Sequence, residues 1–544
     1  MKVESICIVG GGTAGWMTAA TLIKSFPKKK ITLIESENIP TIGVGESTTQ
    51  FFRDWTLELN LPDNWMDECE ATYKYSVLFK DFSEYGDFHY PFYDGAAPPN
   101  SSCDILEWFF HYRATNGNPE VSFAEWMTPY WRIIKENKVV IQDFKSFTGY
   151  KNTGYHLDSI KFANFLKRDY CTPRGVEHIT DDIKDCIKDP QGNIVSIVGE
   201  KDIYLADLFV DCTGFKSLLL GDFMGIEWDD FPFLINNKAW AVKTAYTDKS
   251  TEMTNHTQCT ALDNGWVWHV PLTTRIGTGY NFSDKFISEE DALKEFKEFL
   301  GDRPLLSEPR LIEWRNGIAK KVWTKNVVGV GLSAGFIEPL ESNGLLSVHN
   351  FAVYLADALS MHEDSKINTL IRAQFNRRCR EHMGSFAHFV GNHFMMTTKE
   401  NSAYWSHITN DINYMDDKAE REAETHGGYP VDDFPLKMHE IAKFLFPNLA
   451  GNSYIAAGHM HSPVTPWTVD YMDKRKDLDI SSFKVIKSGY QLDPEIEKLI
   501  DQFPTPEEFY YEDVAGVDFH HSLHGQYLYC RWWVIRMDDC CCLC

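Results

Sequence analysis

The sequence predicts an α/β fold, and three observations carry that prediction. They are a strand–glycine loop–helix–strand opening, an acid closing the second strand, and further strand-and-glycine segments far downstream. Residues 3–9 favour β-branched and apolar types and run into Gly10-Gly11-Gly12-Thr13-Ala14-Gly15. Trp16-Met17-Thr18-Ala19-Ala20-Thr21-Leu22-Ile23 then reads as a helix, and Lys30-Ile31-Thr32-Leu33-Ile34-Glu35 as a second strand. A lone Gly-x-Gly-x-x-Gly is weak evidence. Preceded by a strand, followed by a helix and joined by an acid about twenty residues on, it specifies a dinucleotide-type βαβ unit. The glycines let the backbone turn tightly and approach a pyrophosphate, and the helix start supplies N–H donors and a positive dipole end. Glu35 is placed to accept hydrogen bonds from ribose hydroxyls.

Further along, residues 202–211 read as a strand leading into Cys212-Thr213-Gly214, and Val327-Val328-Gly329-Val330-Gly331 as another. Ser288, followed by Glu289-Glu290-Asp291, caps a helix whose Leu293, Phe296 and Leu300 share one face and which Gly301 ends. Residues 345–351 begin another helix, and the region from about 360 to 450 is mostly helical by pattern. No internal repeat or low-complexity linker occurs. Because the glycine loop, the Asp211 strand and the Gly329–Gly331 strand lie far apart, one cofactor module is expected to assemble discontinuously. The division is residues 1–86 and 150–360 for that module, 87–149 and 361–538 for a largely helical substrate module, and 539–544 for a cysteine-rich tail.

Length alone, at 544 residues, suggests three or four domains, a soft expectation for interleaved cofactor folds. The 16 Trp, 24 Tyr and 36 Phe fit aromatic-lined pockets, although most serve as core. With 53 Lys plus Arg against 78 Asp plus Glu, the formal charge is −25, which repels phosphate backbones and anionic membranes and argues against nucleic acid. It also repels anions at long range, so an anion site must be built locally. No run of about eighteen apolar residues is present, and the first residues lack the longer apolar region of a signal peptide, so neither a membrane span nor a leader is expected. The 13 cysteines suggest neither a disulfide framework nor a zinc site, and a reducing cytoplasm fits. The terminal Cys541-Cys542-Leu543-Cys544 is only loosely like a prenylation box. His459-Met460-His461 and His520-His521 lack companion ligands, so no metal is expected. No Gly-x-Ser-x-Gly elbow occurs.

Several segments are more specific. Gly10–Trp16, Gly43-Val44-Gly45-Glu46-Ser47-Thr48, Asp211-Cys212-Thr213-Gly214-Phe215, Trp266-Val267-Trp268-His269-Val270-Pro271, Gly277-Thr278-Gly279-Tyr280, Phe336-Ile337-Glu338-Pro339-Leu340-Glu341-Ser342-Asn343-Gly344 and the stretch from His393 to Trp405 resemble, in order, the signatures of the flavin-dependent tryptophan halogenases. The resemblance runs from residue 6 to about 405. Trp-x-Trp-x-Val-Pro discriminates best, although the family usually has Ile where this chain has Val270.

The resemblance implies an FAD-binding Rossmann-like module of the glutathione-reductase and monooxygenase type. Gly10, Gly11, Gly12, Thr13, Ala14, Gly15, Glu35, Gly45, Glu46, Ile183, Asp211, Gly214, Gly331, Leu332 and Leu345 are its cofactor-binding residues. It implies reduced FAD delivered by a separate flavin reductase, a flavin hydroperoxide formed with O2, and halide attack giving hypohalous acid that travels to an electron-rich aromatic substrate such as an indole. A homo-oligomer is left open.

Thr72-Tyr73-Lys74-Tyr75-Ser76-Val77-Leu78-Phe79 is similar to the context of the family's essential lysine, which selects Lys74 over Lys80. Its ammonium hydrogen-bonds hypohalous acid, or its amine forms a haloamine, and aromatic flanks on a strand lower an amine pKa by desolvation. A snorkelling lysine on a half-buried strand is the plain alternative. Glu341 matches the family's essential glutamate, which accepts the proton lost on rearomatisation; an acid near a helix start also satisfies the macrodipole. The amides of Asn343 and Gly344 hold halide in the family, which usually has Thr in place of Asn343. Trp266, Trp268 and Pro271 form the flavin-side barrier, or else are strand aromatics in a core. His89-Tyr90-Pro91-Phe92 resembles a segment at the substrate ring, so His89 and Phe92 are substrate candidates, and Trp405, Tyr454 and Trp467 are weaker ones. Core packing is the plainer reading of Trp405, Tyr454 and Trp467. Two rivals share the glycine loop: a single-component monooxygenase that hydroxylates an aromatic, and a catalytically inactive flavin-binding protein.

Overall fold

The computed structural model describes residues 2–39, 43, 45–62, 64–92, 122–144, 146–148, 152–360, 367–412, 454–455, 457–460 and 493–511. Its organising element is a six-stranded sheet in the order Trp323–Thr324, Val327–Gly329, Leu208–Asp211, Ser5–Val9, Lys30–Glu35, Glu177–Thr180. All neighbours pair in parallel except the first two strands. The inner strands are buried almost end to end, because parallel strands are covered on both faces. Helix Thr13–Ser25 lies over this sheet and packs on helix Gly344–Ser360. The opening strand, helix and second strand therefore appear where the residue pattern expects them.

A seven-stranded mixed sheet runs Arg310–Glu313, Lys238–Thr244, Ile276–Phe282, Gly265–Pro271, His256–Leu262, Ser76–Lys80, Phe88–Pro91. Beside it, a small sheet holds Gly154–Leu157 between Glu46–Ser47 and Thr72–Lys74. Tyr75 is the joint between the two, with its amide on Asn255 O (2.8 Å) and its carbonyl accepting from the Phe92 amide (2.9 Å). Its hydroxyl donates to Val140 O (3.0 Å), which fixes the joint from a third side. That joint holds Lys74, one residue earlier, at the seam between sheets.

Two expectations are corrected. Residues 202–211 are two strands, Ile203–Leu205 and Leu208–Asp211, in different sheets. The break falls where the Asp207 carboxylate accepts from the Glu4 amide, the Ser5 amide and the Ser5 hydroxyl, tying the chain to the first strand. The strand at Val327 stops at Gly329, and Gly331–Ser333 is a 3-10 turn opened by a positive φ at Gly331. Helix Glu289–Leu300 is as expected, with the Ser288 hydroxyl accepting from the Asp291 amide and Gly301 closing it. Within 360–450, Thr369–Met395 and Ala403–Asn410 are helices; residues 361–366 and 413–450 lie outside the described residues.

Candidate functional site

Lys74 ends the strand Thr72–Lys74 and faces Gly154 on the neighbouring strand. Its side chain is fully buried. Nζ donates to Thr48 O (3.1 Å) and to Ser342 Oγ (2.9 Å), and lies 4.9 Å from the centre of the Phe92 ring. A Cβ on Gly154 would stand 2.8 Å from Thr48 O and 3.2 Å from Phe92 Cε2, so glycine is what leaves room for the lysine's partners. Burial pushes the Lys74 pKa down to about 7, against the opposing charges of Glu341 and Cys259. Lys80, by contrast, is only partly buried.

The segment Glu338–Gly344 brings the second group. Pro339 O accepts the Ser342 amide (3.0 Å), and Ser342 has φ 59°, uncommon for a residue with a Cβ. Glu341 Oε1 lies 2.6 Å from His393 Nε2, with both side chains buried. His393 comes from helix Thr369–Met395 and packs on Phe79 and Phe389. Asn343 O accepts the Ser347 amide (3.0 Å), which makes Asn343 the residue before helix Gly344–Ser360. First-turn amides have no intrahelical acceptor and face the positive dipole end. Among the described residues Asn343 Nδ2 is a buried donor without a partner, and a Cβ on Gly344 would meet nothing within 4 Å. Unsatisfied donors around open space suit a small anion.

Trp266 and Trp268 share one face of their strand, with ring centres 6.3 Å apart. Trp266 is fully buried, and its Nε1 donates to Glu338 Oε2 (3.0 Å), which also accepts from Asn236 Nδ2 (2.8 Å). Burial pushes the Glu338 carboxyl up to about 7. The Trp268 ring occupies the space beside Gly279, where any Cβ would overlap it. Pro271 O accepts from Thr72 Oγ1 (2.7 Å), which ties this strand to the one bearing Lys74.

The glycine loop closes against the end of the Asp211 strand. Gly10 (φ +114°) donates its amide to Ile34 O (2.8 Å), and a Cβ there would overlap the Cys212 carbonyl. Gly12 precedes helix Thr13–Ser25 with no side-chain cap, so its first amides stay open to an anion. Thr13 Oγ1 donates to Ser159 O, Ala14 packs against Gly331, and Gly15 closes on the Gly10 carbonyl. Glu35 folds over Gly11, and its Oε1 takes Lys167 Nζ and His178 Nε2, each at 2.6 Å. Asp211 points inward: its carboxylate accepts the Thr213, Leu219 and Leu220 amides and the Thr213 hydroxyl, holding the turn into Gly214. Among the described residues nothing stands within 4 Å of a Cβ built on Gly214; Leu332 sits in the turn after Gly331, and Leu345 is the second residue of helix Gly344–Ser360. Gly45 (φ +122°) precedes Glu46, whose carboxyl is pushed up to about 7 by desolvation and then by Asp158. Ile183 begins a strand two residues after Asp181, whose amide donates to Glu35 O (3.0 Å). An uncapped helix start, a glycine cradle and open space at Gly214 fit a bound dinucleotide.

Of the aromatic candidates, Phe92 is at Lys74. His89 hydrogen-bonds Ser76 (3.0 Å) and packs edge-on to Trp131 and His256; desolvation pushes its imidazole down to about 4. Tyr454 packs on Tyr90 and Phe123. Trp405 is fully buried among Phe82, Phe394 and Tyr404, with Nε1 on Leu262 O (2.6 Å), which is core packing. Trp467, His461, His520, His521 and residues 539–544 lie outside the described residues. Residue-level reading assigned no role to Thr48, His156, Ser342 or His393. The only signal was that Thr48, Ser342 and His393 stand inside the family-like segments; His156 lies outside them.

The profile of the tryptophan halogenase family matches residues 5–445. Tryptophan 7-halogenase RebH of Lentzea aerocolonigenes is 32% identical over 431 residues, covering 74% of this chain and 78% of the relative. Among solved structures, apo VirX1 has a TM-score of 0.81 at 33% identity, covering 95% of this chain and 100% of that one. BrvH, a flavin-dependent halogenase from Brevundimonas sp. BAL3, has a TM-score of 0.79 at 27% identity over 93% of this chain and 99% of its own.

Proposed function

This chain belongs to the tryptophan halogenase family, and from that premise we propose that it halogenates an electron-rich, indole-type aromatic ring. The observation that carries the reading is a fully buried lysine held on Thr48 O and Ser342 Oγ beside Phe92, where Ser342 directly follows Glu341, the partner of His393. Reduced FAD, from a separate flavin reductase, supplies with O2 the oxidation of halide to hypohalous acid. The open helix start, Gly10–Gly15, Glu35, Gly45, Glu46, Ile183, Gly214, Gly331, Leu332 and Leu345 hold the cofactor, with Asp211 shaping the turn. The amides of Asn343 and Gly344 hold the halide. Trp266 and Trp268, with Pro271, wall the cofactor side from the organic substrate.

Lys74 binds the hypohalous acid and aims its halogen, while Glu341 takes the ring proton that the halogen replaces. Phe92 and His89, with Tyr454, face the aromatic ring. Residues 1–86 and 150–360 make the cofactor module, and 87–149 and 361–538 the substrate module. No helix among the described residues is long and apolar enough to cross a membrane. The described cysteines are all free thiols, which supports a cytoplasmic setting.

The test is mass spectrometry of tryptophan and an indole panel with FAD, a reductase, NADH and separate chloride, bromide and iodide salts. A halogen-shifted product is expected; hydroxylated product without halogen would replace this reading with a monooxygenase. The halide site has its own test. Gly344 is the first residue of its helix, a position that tolerates proline, and proline there removes one amide. Gly344→Pro is expected to fold and to raise the halide KM about tenfold, the loss of one charge-assisted hydrogen bond. An unchanged halide KM would place the anion elsewhere.

A further inference from the structure

The hydrogen bonds of Lys74 continue well beyond Ser342. Ser342 Oγ lies 3.0 Å from Ser47 Oγ, Ser47 Oγ lies 2.6 Å from Thr257 Oγ1, and Thr257 Oγ1 lies 2.9 Å from His156 Nε2. His156 Nδ1 lies 2.9 Å from Thr72 Oγ1, which lies 2.7 Å from Pro271 O. Strand register explains the far end, because Ser47 and Thr72 both stand directly opposite His156 on its two neighbouring strands. Every member except Ser47 is buried. Ser342 reaches its place in the chain at a positive φ; such strain persists where surrounding structure enforces it.

We propose that His156, acting through Thr257, Ser47 and Ser342, is a positioning residue that fixes the direction of the Ser342–Lys74 hydrogen bond, so that the Lys74 amine donates to Ser342 as it does to the Thr48 carbonyl. The direction follows from counting protons. A carbonyl only accepts, so Thr72 gives its single hydroxyl proton to Pro271 O. His156 Nδ1 must then donate to Thr72, which leaves Nε2 bare in a neutral ring. Neutrality follows from burial, which pushes this imidazole well below its usual pKa, as do the charges of Lys74, His256 and His269. A bare Nε2 makes Thr257 donate to it, Ser47 donate to Thr257, and Ser342 donate to Ser47. Ser342 then has only a lone pair for Lys74. Two positions on Nζ are thereby committed as donors, to Thr48 O and Ser342 Oγ, and one is left. That remaining position, a proton of the ammonium or the lone pair of the amine, is the one available to an oxidant.

With the opposite His156 tautomer the chain could reverse, and Ser342 would donate into the lone pair of the neutral amine. The groups that bear electrostatically on Lys74 are Glu341 and Cys259, and on His156 they are Lys74, His256 and His269. Of these groups only Lys74 is itself a member of the chain.

This inference rests on Lys74 being the catalytic amine, so its test has one readout that needs no turnover. In the full-length protein labelled with 15N-histidine, His156, assigned by comparison with His156→Gln, is expected as the neutral tautomer protonated on Nδ1. A proton on Nε2, or an imidazolium at pH 7, overturns the proposal whether or not any substrate is halogenated. The kinetic readout compares Thr257→Val, which keeps shape and loses the hydroxyl, with Thr257→Ser, which keeps the hydroxyl. Thr257→Val is expected to lower kcat about tenfold or more with substrate and halide KM little changed. It should also move the Lys74 break in the pH–rate profile below its parental position, because an acceptor of the ammonium has been freed to donate. Thr257→Ser should restore both. If Thr257→Val keeps the parental kcat and profile, or if Thr257→Ser fails to restore them, the chain does not position Lys74.

Discussion

Lys74→Met is expected to abolish halogenation and, at neutral pH, to leave the protein at least as stable as the parent. The two effects come from one cause. A fully buried ammonium with neutral hydrogen-bond partners costs stability, and desolvation has drawn its pKa from 10.5 to about 7. The unfolded chain keeps its lysine near the ordinary value, so between about pH 7 and 10.5 it binds more protons than the folded chain. Stability of the parent therefore rises with pH through that window. Below pH 7 the cost of the buried charge is present in full; toward pH 10.5 it is relieved. Methionine has similar volume and no charge, so the variant should be more stable at pH 6 by about 1–4 kcal/mol, with the advantage shrinking by pH 10. Denaturant unfolding at pH 6, 8 and 10 reads that trend, and a variant less stable at pH 6 than at pH 10 relative to the parent would contradict it. Activity should fall about a thousandfold or more, since an aimed donor in a water-excluded site has been removed. A folded Lys74→Met protein that still halogenates at near-parental rate would end the assignment.

Glu341→Gln should fold normally, keep a hydrogen bond to His393 and lose roughly a hundredfold to a thousandfold in kcat, the usual worth of a positioned base. The better diagnostic is the ring hydrogen. When deprotonation is fast, replacing that hydrogen with deuterium leaves kcat unchanged. With the base removed, proton loss becomes slow, and a deuterated indole should react several-fold more slowly in Glu341→Gln while parental enzyme shows little effect. A rate loss without that isotope effect would make Glu341 a positioning group for the halide or the ring instead. The short contact with buried His393 is what orients this carboxylate.

Local pattern made much of this legible. The βαβ opening follows from glycine spacing, β-branched runs and a terminal acid, all properties of neighbouring residues. The helix at Ser288 follows from a cap and a 3.6-residue period. Reading 202–211 as one strand failed because Asp207, polar within an otherwise continuous pattern, is bound to residues about two hundred positions earlier. The resemblance names Asp211 as a cofactor-binding residue, and only the folded chain shows that its carboxylate holds the turn that follows it. Lys74, Glu341, Asn343 and Gly344 were found through family-like segments, which name residues but not their surroundings.

By itself, then, the sequence determined the dinucleotide-type opening and the helix start after Asn343, because each depends on groups within a few residues of one another; it named the candidate lysine and glutamate only through resemblance to the family. Only the tertiary structure decided that Lys74 sits fully buried between two sheets, that His393 meets Glu341, and that a hydrogen-bond chain joins Lys74 to His156. Desolvation and hydrogen-bond direction depend on which distant segments exclude water and supply the acceptors. Thr48, His156, Thr257, Ser342 and His393 come from five separate parts of the chain, and no spacing rule links them before it folds.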